Sequence, residues 1–384
     1  MRLSVRPRMM GRVGEIYLED IFSRLKRVFV SDENYTHVQL YLLDRSFLLE
    51  TGVDVNIRVS GKAPLLHIVL EMGDLAVVDL FLSRGADPNM VDEFGLNSLH
   101  RASKSQIEGL VELLINRGVD IHHCNKFGET PLHTFAAVGF ETGVRLLLAN
   151  GARVNAADTD GLTPLHEAAR GYPEVAELLL SHDAHVNAVD ECGLTPLIYA
   201  ATQFLERVIE VLVEFGADVN TVDSHKRAAL HYLAGKGCER SVELLIANGA
   251  DVTLADPRGW TPLHHAAGTA ARPGVIGLLL RHGAQIEARD KEGKTPLICA
   301  ASCRDGQPEI VELLLPHGAR VNALNKTKLL LYSLTSSLSK NLGILFEPSC
   351  GGTNLLSFPV VFMFPYHHIK NYHGLKRRII IKIL

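Results

Sequence analysis

Glycine stands at residues 95, 128, 161, 193, 259 and 293, with Lys226 in the remaining place, so the intervals run 33, 33, 32, 33, 33 and 34. A longer motif travels with it, best seen in Asp158-Thr159-Asp160-Gly161-Leu162-Thr163-Pro164-Leu165-His166. A fixed internal period of this length means a stack of similar units, each burying its apolar faces on its neighbours, and overrides the two or three closed cores that 384 residues would otherwise suggest.

The residues that recur are those a short helical unit needs. Gly161 permits the positive φ of a tight turn, Thr163 can cap a helix and Pro164 suits its first turn, where no N–H has to be donated. Leu165 then points inward, and Ala168 and Ala169 keep the helix slim. Val175, Leu178 and Leu179 supply the apolar stripe of a second helix. Gly151-Ala152 and Gly216-Ala217 end such second helices, with Gly in the left-handed conformation; Asp183 replaces this Gly once, and that helix end is expected to be strained or reshaped. The length changes in the repeat fall near Gly171-Tyr172-Pro173, Arg272-Pro273 and Asp305 to Pro308, between the two helices of a unit.

Thr130-Pro131-Leu132-His133, Thr163-Pro164-Leu165-His166 and Thr261-Pro262-Leu263-His264, with Thr195-Pro196-Leu197 and Thr295-Pro296-Leu297, resemble the signature of the ankyrin repeat family. The resemblance covers about nine units over residues 26–324, of which the first two are degenerate. It implies an all-α repeat solenoid of helix-turn-helix units joined by hairpin-like finger loops in a curved array. An amphipathic capping segment is expected in residues 1–25, with helical spacing running over 14–30, and a basic, apolar tail or degenerate cap in 325–384.

The same resemblance implies a non-enzymatic scaffold or adaptor that binds partner proteins through finger tips and the concave helix face. The candidate binding residues are therefore the variable ones between the motifs: Phe94, Phe127, Thr159, Asp160, Leu162, Arg258, Trp260 and Lys291. Trp260 is the only tryptophan, and Trp and Arg are favoured interface anchors. Asn155, Asn187, Asn220 and Asn322 each lie eight residues after a Leu, and asparagines at such positions are hydroxylated in some members of the family; Asn also suits the turn before the finger. His100, His133, His166, His231 and His264 have the structural reading, since a buried imidazole needs polar partners and the helix start offers them.

No complete phosphate loop, kinase set, nucleophile elbow or zinc-protease motif occurs, and the acids Asp92, Asp158, Asp190, Asp223, Asp256 and Asp290 all share one position of the repeat, so no catalytic site is nominated. No cofactor or metal is expected: Cys299 and Cys303 lie four apart, but two further ligands are missing locally. The six cysteines lack the spacing of a disulfide framework, which fits a reducing compartment, the cytoplasm or nucleus. Residues 325–384 hold eight Lys or Arg against one Glu, a net +7, so the other 324 residues carry −11 of the chain's −4; such an acidic body argues against nucleic-acid binding. No apolar run reaches the roughly 18 residues of a membrane span, so a soluble protein is expected, and a monomer. Arg2, Arg6, Arg8 and Arg12 are followed by Glu15, Glu19 and Asp20, unlike an import segment.

The tail admits three readings: a divergent cap beginning at Leu329 to Leu338, a segment unrelated to the fold, or a ubiquitin-ligase recruitment box faintly suggested by Leu375-Lys376-Arg377-Arg378-Ile379-Ile380. The last would make the protein a substrate-recognition subunit of a ubiquitin ligase, the alternative to a plain scaffold.

Overall fold

The computed structural model describes residues 55–56, 58–59, 63–269, 272–302 and 308–320. The N-terminal segment, most of the first degenerate unit, Cys303, Asn322 and the whole tail, including its recruitment-box reading, lie outside the described residues.

A two-stranded antiparallel finger, β1 (Arg58–Val59) with β2 (Ala63–Pro64), opens the described chain. Sixteen helices follow in pairs among the described residues: α1 (Leu65–Met72) with α2 (Leu75–Ser83), α3 (Ser98–Ala102) with α4 (Glu108–Asn116), α5 (Pro131–Ala137) with α6 (Glu141–Ala149), and α7 (Pro164–Ala168) with α8 (Pro173–Leu180). Then come α9 (Pro196–Gln203) with α10 (Glu206–Glu214), α11 (Ala229–Lys236) with α12 (Glu239–Ala247), α13 (Pro262–Gly268) with α14 (Pro273–Arg281), and α15 (Pro296–Ser302) with α16 (Pro308–Leu314). The fold is the all-α repeat solenoid that the resemblance implied.

The packing gathers into two units, residues 1–191 and 192–384. In the first, α1, α3, α5 and α7 stack in one layer and α2, α4, α6 and α8 in another; in the second, α9, α11, α13 and α15 face α10, α12, α14 and α16 in the same way. The conserved apolar register of the motif fills the space between layers: Leu99, Leu132 and Leu165 are essentially inaccessible in the first unit, as are Leu230, Leu263 and Leu297 in the second. Each second helix adds its stripe, Val144 and Leu147 in α6 or Val242 and Leu245 in α12. A helix of five to nine residues is too short to be stable alone, so this stacking, not helix propensity, holds each pair.

The helix ends follow the expected chemistry. Second helices close on left-handed glycines, Gly151 at φ +84° and Gly216 at +82°, and Asp183 adopts φ +64° in its unit, so the strain expected there takes the form of an unchanged turn held by a less suitable residue. Lys226 likewise keeps the finger turn at φ +55° in place of Gly. The degenerate start of α1 has Pro64 before its first residue and no side-chain cap.

Candidate finger-tip binding surface

Each finger is folded by its own acid. Asp158 Oδ1 accepts the N–H groups of Asp160 (2.9 Å) and Leu162 (2.8 Å), and Asp92, Asp223, Asp256 and Asp290 each repeat the pattern two and four residues on. Asn125 performs the same task through its amide oxygen. The expectation that these acids share turn geometry is met, and it explains why Asp92, Asp223, Asp256 and Asp290 are buried.

Neighbouring fingers are tied edge to edge. Lys126 N–H donates to the carbonyl of Phe94 (3.0 Å), Thr159 to Phe127 (2.9 Å) and Glu191 to Asp160 (2.9 Å) in the first unit; Ser224 donates to Cys192 (2.9 Å) and Lys291 to Arg258 (2.8 Å) in the second. Pro257 occupies the donor position of its finger and has no N–H to give. The asparagines add a second tie: Asn155 donates to the Asp183 carbonyl (2.9 Å) and accepts from His185 N–H (2.7 Å), and Asn220 treats Gly249 and Asp251 alike. Asn187 is exposed.

The motif histidines complete the scaffold. His133 Nδ1 accepts from Thr130 N–H (3.1 Å) while its Nε2 lies 3.0 Å from the Leu162 carbonyl of the next finger; His264 does the same with Thr261 (3.2 Å) and Lys294 (3.1 Å). A backbone N–H only donates and a carbonyl only accepts, so each ring is the neutral tautomer with its proton on Nε2. Burial pulls His133, His231 and His264 below the ordinary histidine range, and His100 to about 4. His67, inaccessible and also held near 4 by burial, lacks the bond from the backbone N–H three residues before it, because that residue is Pro64.

These histidines make stability depend on pH. The unfolded chain titrates near 6.5 and the folded rings lower, so between those values the unfolded state binds more protons. Stability is fully present above about pH 6.5 and is lost as pH falls toward about 4. Urea midpoints are expected to fall steadily from pH 7 to pH 5; a flat profile over that interval would show that the imidazoles are not buried neutral.

The candidate binding residues divide into free and engaged groups. Phe94 and Phe127 are 47% and 55% exposed at the same position of adjacent fingers. Asp160, Arg258 and Lys291 are exposed as well, and so is Thr159, although its hydroxyl donates to the Phe127 carbonyl (2.9 Å). Leu162 is a correction: it is only 9% exposed, because it closes the inner side of the turn and faces the stack instead of solvent.

Trp260 is engaged by its neighbours. Its indole is half-buried, lies near-parallel to His264 (centroids 6.3 Å apart) and edge-on to His265 (5.2 Å), and donates Nε1–H to Asp290 Oδ2 (3.0 Å) of the next finger. The Arg258 guanidinium lies over its ring at 4.5 Å. The ring ties two repeats together, so it is a structural link with an exposed edge rather than a free anchor.

A row of residues nine positions after each finger acid was not nominated from the sequence. Arg101 pairs with Asp92, the Tyr232 hydroxyl donates to Asp223, and His265 Nε2 lies 3.3 Å from Asp256 Oδ2. Burial holds His265 at about 4, so near neutrality this is a hydrogen bond from a neutral ring, not an ion pair. Burial opposes the charge of Asp256, yet the N–H groups of Trp260 and Arg258 and the His265 ring keep it ionised below the usual carboxylate range. In the unit of Asp158 the same place holds Glu167, buried, raised by that burial and opposed by Arg170 at 3.2 Å. Aligning the repeats on their acids would have exposed this row.

Among the described residues no group of His, Cys, Asp or Glu is arranged to hold a metal, and no helix is long and apolar enough to cross a membrane. A family model described as "Ankyrin repeats (3 copies)" matches residues 99–190, 185–256 and 242–325, and one described as "Ankyrin repeat" matches 61–93. No curated protein matches the chain. Among solved structures it is similar to the ankyrin repeat domain of Bcl-3, described as a unique member of the IkappaB protein family, with 31% identity over 56% of this chain and 97% of that one and a TM-score of 0.49. With its acid-closed fingers, His-locked helix starts and matched residues spanning more than half its length, the chain belongs to the ankyrin repeat family.

Proposed function

We propose that this protein is a non-enzymatic scaffold or adaptor that grips a partner protein with its finger tips. Repeats of this family are interaction modules, and the single observation that carries the reading is the pair Phe94 and Phe127. Two large apolar rings stand exposed at one register of fingers joined backbone to backbone, where neither the turn nor the stack uses them. Aromatic residues preorganised in this way are the usual anchors of an interface. Asp160 on the following finger adds a polar contact, and Arg258 and Lys291 occupy the corresponding tips of the second unit. The four described cysteines are all free thiols, which supports a reducing compartment, the cytoplasm or nucleus.

The test is affinity capture with the full chain beside its Phe94→Ala/Phe127→Ala variant. Proteins retained by the first and lost by the second, with both melting alike, are the expected result; identical retention by both removes the fingers from the binding surface.

A further inference from the structure

In the loop joining the two helices of a repeat, the chain turns through a left-handed residue, which is Gly73 (φ +73°), Gly139 (+71°) or Gly237 (+75°) in three units and the exposed Gln106 (+52°) in another. Phe204 takes it between α9 and α10, at φ +60°. A bulky side chain in this conformation is strained, and the ring keeps 38% of its surface exposed. Strain held at a partly exposed aromatic ring points to a use in recognition.

The neighbouring loops define what the ring could recognise. The Lys236 ammonium stands 5.1 Å from the centre of the Phe204 ring. On its other side the third loop rides directly on the second: a Cβ placed on Gly237 would come within 2.7 Å of the Arg272 backbone nitrogen. Lys236 and Arg272 are exposed and make no ion pair with another described residue. The acids of these loops, Glu206 and Glu239, sit in the first turns of α10 and α12, where the helix N-termini engage their charge. An exposed aromatic ring, the Lys236 cation over it and the Arg272 cation of the next loop therefore lie on three consecutive loops.

We propose that this edge, formed by Phe204, Lys236 and Arg272, is a second docking surface, and that its occupant is an acidic segment of a partner protein carrying a large apolar residue beside its carboxylates. The apolar residue packs on the Phe204 ring, and the carboxylates meet Lys236 and Arg272 as charge-assisted contacts. The surface is separate from the finger tips, so it stands or falls independently of them.

The experiment is a random-peptide display selection on the purified full chain, with Phe204→Gly as counter-selector. Peptides joining Asp or Glu to Leu, Phe or Trp are expected, and their binding should weaken about tenfold or more in Lys236→Glu and in Phe204→Gly, which corresponds to the loss of one good contact. The Phe94→Ala/Phe127→Ala variant should bind them unchanged, and Phe204→Gly should unfold at the same or a higher urea concentration than the parent. The proposal is overturned by selected peptides without acids, by equal binding to Phe204→Gly, by loss of binding in the finger variant, or by a lower unfolding midpoint for Phe204→Gly, which would make the ring a packing element.

Discussion

Gly128→Ala is expected to destabilise the protein by about 3 kcal/mol, while Gly151→Ala costs about 1 kcal/mol. Both glycines lie in the left-handed region, at φ +79° and +84°, so an added methyl meets the same conformational penalty in each. They differ in surroundings. At Gly151 the methyl would enter open space, whereas at Gly128 it would meet Thr159 N at 2.8 Å and two Asp158 backbone atoms at 3.1 Å. The neighbouring finger would have to retreat, lengthening the bond between Thr159 N–H and the Phe127 carbonyl. Urea unfolding of the two variants beside the parent measures the difference; equal losses would show that the fingers are not in close backbone contact.

Trp260→Ala should cost about 3 kcal/mol, the sum of lost ring packing and an Asp290 oxygen left without its donor. Asp290 is only 7% exposed, so water does not readily replace the indole N–H. Trp260→Phe keeps part of the packing and loses only the hydrogen bond, for about 1 kcal/mol. Unfolding midpoints of the pair check this, and a Trp260→Ala protein as stable as its parent would mean the ring does not link the repeats. The stability of this region then has to be measured before any binding defect of a Trp260 variant is read as lost contact.

The contrast between Trp260 and Phe127 shows what the sequence made legible. The recurring Gly, Thr-Pro-Leu-His and Gly-Ala signatures each answer a backbone demand, so the helix pairs and their caps follow from residue chemistry, while Asp183, expected to strain or reshape its helix end, and Lys226 keep the left-handed turn. Finger residues obey no hydrophobic period, and their direction depends on which side of the turn they leave. Leu162 and Trp260 stand at the same place in their units, four after the finger acid, and that place looks toward the stack; Phe94 and Phe127, two after it or its Asn equivalent, look away. The row containing Arg101, Tyr232 and His265 was hidden for a related reason: its members share a task, donating to an acid, but not a residue type.

The direct test of finger-tip recognition is hydrogen exchange of the full chain with and without its captured partner. Slowed exchange is expected in residues 92–96 and 125–129, which carry Phe94 and Phe127, with the second helices Glu108–Asn116 and Glu141–Ala149 unchanged. Protection confined to those second helices, with the finger amides exchanging as in the free protein, would contradict it.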